Sequence, residues 1–199
     1  MQTKLPVDKS NGYEEIATIF MKGRGIAVNG IGASFVHKWA KTLPLHSSVL
    51  DLGCGTGIPV SKVLIEQGMT VYGIDASPRL VKAFQQNFPN APVACEPVED
   101  SLFFNRKFDA IIAWGLLFLL PKEVQQLVIQ KAANALQPGG KLLFTSTLKK
   151  NDWTDAMTGR LSTSLGAEKY RESLIAAGLS LMEEFEDEGE NHYFNSVKI

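Results

Sequence analysis

Asp51, Gly53, Gly55 and Gly57, spaced two apart in the stretch VLDLGCGTG (Val49 to Gly57), are the residues of this 199-residue chain best placed to do chemistry. Val49, Leu50 and Leu52 make an apolar run short enough for a buried parallel strand. The run stops at the glycines, which permit a sharp turn and let a ligand lie against bare backbone. Ile58 to Gln67 then reads as a helix, with Pro59 tolerated in its first turn. Strand, glycine loop and helix start together offer free N–H groups and the positive end of a helix dipole. A dinucleotide fingerprint, G-x-G-x-x-G, requires glycine where Ile58 stands. Asp51 would repel a pyrophosphate, but it can attract the ammonium or sulfonium of a cationic ligand. A second acid falls where such a ligand needs one. Thr70 to Ile74 reads as the next strand and ends at Asp75, about 20 residues beyond the glycines, where an acid meets ribose hydroxyls in Rossmann-like sheets. Taken alone, Asp75 could equally cap the helix opened by Ser77-Pro78.

The pattern Asp51-x-Gly53-x-Gly55-x-Gly57, with Asp75 behind it, resembles the first motifs of the class I S-adenosylmethionine-dependent methyltransferases. LQPGGKLLF, Leu136 to Phe144, is similar to the segment that leads into the fifth strand of that family. The resemblance runs from Val49 to Thr147, about half the chain. It implies an α/β fold with a Rossmann-like, mostly parallel seven-stranded sheet, helices on both faces, an antiparallel C-terminal hairpin and an N-terminal helical lid. It implies S-adenosylmethionine as cofactor and S-adenosylhomocysteine as product. The cofactor contacts it implies are Asp51, Gly53, Cys54, Gly55, Asp75 and Ala76. Glu96 would reach the adenine amino group and the Val98 N–H a ring nitrogen, since Pro97 has no N–H to give. Trp114, at the carboxyl end of the fourth strand, would wall the methionine and ribose portions, with Tyr13 and Arg24 closing from the lid. Family members often carry a histidine shortly after that strand. Leu119 and Leu120 stand there, so no base is offered.

The elements that must position these residues are legible in order. Gly12 to Ala27 and Ile31 to Thr42 read as helices preceding the first strand. After Asp75 come a helix to about Asn87, a strand at Ala91 to Cys95 and another at Phe108 to Ala113. Pro121 to Leu136 is an amphipathic helix stopped by Gln137-Pro138-Gly139-Gly140, and Lys141 to Thr147 is the fifth strand. Lys149 to Leu165 reads as a polar, irregular insertion. Gly166 to Ala177 is helical, and Leu179 to Glu186 and Tyr193 to Lys198 form a closing pair of strands. The chain reads as one domain, 1–199: N-terminal helices over 1–46, a cofactor-binding core over 47–148, and an insertion, helix and hairpin over 149–199.

Composition narrows the function. Hydrophobic residues are 45% and charged residues 21% of the chain, as in ordinary globular proteins, and the net charge is −1 with no basic block. Nucleic acid is therefore not an expected partner. Cys54 and Cys95 have no metal spacing, so no metal is expected, and they suit a reducing, cytoplasmic setting. MQTKLPVDKS lacks a signal-type apolar core, and Ala110 to Leu120 is too short to span a membrane. The expected acceptor is a small molecule methylated at O or N, by a monomer or homodimer. Substrate choice falls to the parts outside the core: Trp153, Asp155, Arg160, Asn191 and Tyr193. His192, set among acids in DEGENHY, is the candidate base. Two other readings stay open: a non-catalytic S-adenosylmethionine-binding module, and, on weaker grounds, an NAD-dependent oxidoreductase.

Overall fold

The computed structural model describes residues 8–23, 25, 27 and 29–199. Helices α1 (Tyr13–Lys22) and α2 (Ala33–Ala40) lead into β1 (Ser48–Leu52), α3 (Val60–Glu66), β2 (Thr70–Asp75), α4 (Pro78–Asn87) and β3 (Val93–Cys95). Then come β4 (Phe108–Ala113), α5 (Lys122–Ala135), β5 (Leu136–Ser146), β6 (Asn151–Thr154), β7 (Leu161–Ser164), α6 (Ala167–Ala176), β8 (Leu179–Glu186) and β9 (His192–Lys198). The main sheet has seven strands in the order β3-β2-β1-β4-β5-β9-β8. All neighbours are parallel except the two pairings made by β9. Strand order reverses between β1 and β4, and in such sheets the crevice at the carboxyl ends of those strands takes ligands.

Alternation along the strands divides the core into two layers. Leu50, Leu52, Ile111, Leu142, Phe144 and Phe194 pack with Val128, Ile129 and Ala132 of α5 and with Tyr170 and Leu174 of α6. Val49, Val71, Ala110, Ile112, Leu143 and Tyr193 pack with α2, α3 and α4 through Val36, Trp39, Val63, Leu64 and Phe84. Asp51 shares the second face with Val49, so its carboxylate is driven toward α3.

The mostly parallel sheet with its closing hairpin agrees with the sequence reading, and the differences are local. α1 stops at Lys22 instead of Ala27, because Gly23 leaves helical geometry. β5 begins at Leu136 and takes in the segment expected to stop and turn. Phe108 pairs with Leu136 and Ala110 with Lys141, so residues 137–140 loop out opposite a single residue. The insertion expected to be irregular is an antiparallel two-stranded sheet, β6 with β7, in which Trp153 pairs with Ser162. Its strands are rich in Ser and Thr, so no hydrophobic alternation announces them. β9 starts one residue early, at His192.

The small sheet is anchored on a buried hydroxyl. Tyr170 donates to Gln125 Oε1 (2.6 Å) and accepts from Ser146 Oγ (2.8 Å) and from the Leu165 N–H (3.3 Å). Gln125 in turn donates to the Thr163 carbonyl of β7 (2.9 Å). Tyr170→Phe strands these partners without a solvent substitute and should cost about 1–3 kcal/mol. Scanning calorimetry should show the unfolding midpoint lowered by roughly 3–10 °C.

Candidate cofactor and acceptor site

A cavity of about 630 Å³ opens at the carboxyl ends of β1 and β4. Its floor is the glycine loop after β1. Gly53 has φ +70°, and a side chain there would press on Leu116 at 3.0 Å; Gly57 has φ +79°, and a side chain there would run into the Phe88 ring. Both are glycine because the loop turns left-handed under close packing. Gly53 and Cys54 donate their N–H groups to the Ile74 carbonyl at 2.8 and 3.0 Å, which locks the loop onto β2.

Two carboxylates flank this floor. Asp75 accepts the Gly55 N–H on one oxygen and the Ser77 N–H on the other, both at 2.8 Å. Each oxygen keeps a lone pair for a ligand hydroxyl. Burial pushes its pKa above the ordinary carboxylate value, against those two hydrogen bonds. Asp51 is 2% exposed and accepts the Ser61 hydroxyl at 2.6 Å. Burial dominates there too, with the Asp75 charge adding to it, and the pKa is pushed up to about 7. Burial also pushes the Cys54 thiol up, so it lines the cavity as a small neutral group.

One end of the cavity is closed by the loop after β3 and by α1. Pro97, Val98 and Glu99 line it, but Glu96 does not. Its N–H is spent on the Asp75 carbonyl (3.0 Å), which aligns it with the strand edge. Its neighbours Pro97, Val98 and Glu99 form that part of the lining instead. Val98 is 4% exposed, and its N–H has no acceptor among the described residues. Sequence reasoning missed what holds this loop. Lys131 of α5 donates to the carbonyls of Val98 (3.2 Å), Glu99 (2.6 Å) and Ser101 (2.7 Å). No local pattern marks a lysine as the anchor of a loop 30 residues away in sequence.

Above the floor lie Tyr13 and Phe20, which pack edge to face at 5.7 Å and line the cavity together. Their seven-residue spacing puts both on one face of α1. α1 is pinned by Glu14, which accepts from Ser77 Oγ (2.5 Å) and the Arg79 N–H (3.1 Å) at the start of α4. Arg24 lies outside the described residues.

On the side of β4, Trp114 donates from Nε1 to the Tyr193 hydroxyl at 2.6 Å, and Tyr193 donates to Asp187 at 2.8 Å. Tyr193 is fully buried and lies behind Trp114, outside the cavity lining. Burial, with the Asp187 charge, holds its phenol protonated. It is therefore not a substrate contact but the residue that fixes the Trp114 ring.

Of the remaining expected contacts, Ala76, Trp153, Asp155 and Asn191 line the cavity. Arg160 does not, because its guanidinium is held by Glu15 at 2.8 Å and Asp8 at 3.8 Å. His192 does not reach the cavity either. The early start of β9 puts it on the Phe194 face, with Nε2 2.8 Å from Glu184 and its ring edge-on to Phe194. Glu184 is held below the ordinary range, first by the Arg171 guanidinium and then by His192. The geometry removes His192 from the candidate bases.

The donor set fits a ligand with a cationic end at Asp51, hydroxyls at Asp75 and a flat hydrogen-bonding ring near Val98. The chain's likeness to known proteins agrees. A family model described as a methyltransferase domain matches residues 49–140. A ubiquinone biosynthesis O-methyltransferase of Coxiella burnetii is 34% identical over 134 residues, 65% of this chain and 53% of the relative. A tRNA U34 carboxymethyltransferase of Hahella chejuensis is 30% identical over 131 residues, 61% of this chain and 40% of that protein. The chain thus spans about half the length, or less, of these curated relatives. A crystal structure of an S-adenosylmethionine-dependent methyltransferase from Clostridium acetobutylicum superposes with a TM-score of 0.72 at 15% identity, covering 94% of this chain and 98% of that one.

The raised pKa of Asp51 has a stability consequence. The buried acid stays neutral up to about pH 7, while in the unfolded chain it ionises near its ordinary value of 3.8. Stability from this group is fully present below the unfolded value, is lost progressively as pH rises through that window, and is absent above pH 7. Asp51→Asn should therefore stabilise the ligand-free protein at pH 8 by roughly 1–4 kcal/mol, with the gain vanishing below about pH 4. Urea titrations at the two pH values read this directly.

Proposed function

We propose that this chain, whose residues 49–140 match a methyltransferase-domain model, is a class I S-adenosylmethionine-dependent methyltransferase that moves a methyl group from that cofactor to an oxygen or nitrogen of a small molecule. The observation that carries the reading is the pairing of Asp51 and Asp75 across one glycine loop, inside a single cavity that extends past Trp114. Bound there, S-adenosylmethionine supplies a methyl on a sulfonium, whose leaving group is a neutral thioether. The chain's own residues would do the rest. Asp51, once ionised, pairs with the ammonium of the methionine portion, and Asp75 accepts from the ribose hydroxyls. The Val98 N–H donates to the base. Trp114, locked through Tyr193, walls the reacting end, and Tyr13 with Phe20 keeps water out from above. Positioning and exclusion of water can suffice, because the nucleophile has only to lie behind the methyl carbon.

A small acceptor suits a cavity of about 630 Å³ covered by α1, and a net charge of −1 gives little to hold a phosphate backbone. Trp153, Asp155 and Asn191 are the substrate contacts this reading assigns. Among the described residues, no helix is long and apolar enough to cross a membrane.

Calorimetric titration is the test. S-adenosylmethionine and S-adenosylhomocysteine should bind and NAD should give no heat; the reverse order would move the chain to the oxidoreductases. A screen with methyl-labelled cofactor separates an enzyme from a binding module, since only the enzyme passes label to an acceptor. Affinity for S-adenosylhomocysteine should rise as pH is raised through 7, by up to about tenfold per unit on the acid side, as Asp51 ionises to meet the ammonium. Adenosine, which lacks that ammonium, should show a flat profile. Asp75→Asn should weaken S-adenosylhomocysteine roughly tenfold, about 1.4 kcal/mol.

A further inference from the structure

Beyond Trp114 the cavity changes character. Its far wall is built by Trp153 of β6 and by Asp155, which directly follows that strand, with Phe118 and Met157 beside them. The Trp153 and Phe118 rings meet at 5.5 Å between centroids, inclined at 46°, and both remain partly exposed toward the space they enclose. Asp155 is placed by its own turn. One carboxylate oxygen, Oδ1, accepts the N–H groups of Met157 (2.9 Å) and Thr158 (2.8 Å) and the Thr158 hydroxyl (3.2 Å). The other oxygen, Oδ2, takes no hydrogen bond from any described residue. A fixed carboxylate with one oxygen unspent therefore stands beside two aromatic faces.

The charge of the whole cavity points the same way. Asp51, Asp75, Glu99 and Asp155 line it, while Lys9 is the lining cation among the described residues. Lys9 is already committed, with Nζ 3.1 Å from Glu99 and 3.0 Å from Asp100. No histidine lines the cavity. Among the described residues, an anionic acceptor would meet acid with no uncommitted cation, and a hydroxyl acceptor would find no histidine to deprotonate it. A cationic amine meets both of its needs at once: a carboxylate for its N–H groups and aromatic faces for its charge and its apolar body.

We propose that the acceptor is an amine carried on an apolar or aromatic body, held by Asp155 Oδ2 at the nitrogen and by Trp153 and Phe118 along the body. This rests on the methyltransferase reading above and narrows it to transfer onto nitrogen. The ammonium gives one proton to water, which exposes its lone pair. The nitrogen then forms the N–C bond as the C–S bond of the donor breaks. The positive charge passes from sulfur to the methylated nitrogen, which sheds its next proton to water.

The test is binding of a matched set to the protein saturated with S-adenosylhomocysteine: 2-phenylethylamine, 2-phenylethanol and 3-phenylpropanoate, read by calorimetry. The amine should bind roughly tenfold tighter than the carboxylate and severalfold tighter than the alcohol. Asp155→Asn keeps an Oδ1 acceptor for the Met157 and Thr158 N–H groups, so the turn stays intact. It should lower the amine to the level of the alcohol while leaving the alcohol and S-adenosylhomocysteine unchanged. Trp153→Ala should weaken amine and alcohol alike, by about tenfold. Carboxylate binding as tight as the amine, an amine preference surviving Asp155→Asn, or no amine binding to a protein that still takes S-adenosylhomocysteine would each overturn the proposal. Failure of S-adenosylhomocysteine itself to bind would instead overturn the reading on which it rests.

Discussion

Asp75 is the group through which the site is held together. One oxygen fixes the glycine loop at Gly55, the other fixes the start of α4 at Ser77, and the Ser77 hydroxyl in turn carries Glu14 of the covering helix. Floor, wall and roof of the cavity therefore meet at one carboxylate. The arrangement is electrostatically uncomfortable, because Asp51 lies in the same buried region and the Asp75 charge helps to raise its pKa. Such a site is poised for a ligand that brings positive charge and hydroxyl donors. Asp51 is buried and Asp75 half-buried beside it, so holding the two acids together costs the fold stability, as expected where function opposes stability.

The sheet was legible because hydrophobic runs, glycine turns and prolines mark a parallel α/β fold at almost every boundary. The placing of Asp51 and the glycines was legible for the same reason, since it follows from position along one strand-loop-helix unit, and Asp75 ends the next strand. What escaped the sequence depends on distant pairings. His192 looked like a loop base among acids, but one extra residue of strand pairing turns it onto the Phe194 side, against Glu184. Tyr193 looked like a contact and is instead the post behind Trp114. Glu96 lies beside the cavity lining, its N–H extending the strand pairing. Lys131, which clamps the loop after β3, carried no signal at all. In each case the deciding partner lies on another element, beyond the reach of local periodicity.

The likenesses found among known proteins sort along the same line. The matched segment, residues 49–140, is the strand-loop-helix machinery around the glycines, whereas α1 and the β6–β7 hairpin lie outside it. A ubiquinone biosynthesis O-methyltransferase and a tRNA U34 carboxymethyltransferase resemble this chain at similar identity, so the likeness does not by itself select an acceptor.

The β6–β7 hairpin forms a sheet of its own and is joined to the body by side chains at its edges. Ser164 meets Ser146, Asn151 meets Thr147, and Asp152 pairs with Lys122. None of these partners belongs to the glycine loop or to the loop after β3. This divides the protein into an engine and an exchangeable fitting, in the manner of a tool with interchangeable heads. A lineage could reshape the hairpin's turn, and with it the range of molecules accepted, without disturbing the glycine loop, provided the Arg160 tie to Glu15 of α1 is kept. Diversification of such a scaffold should therefore be fast at 151–164 and slow at 49–57, which makes the hairpin the natural target for laboratory evolution of new acceptors.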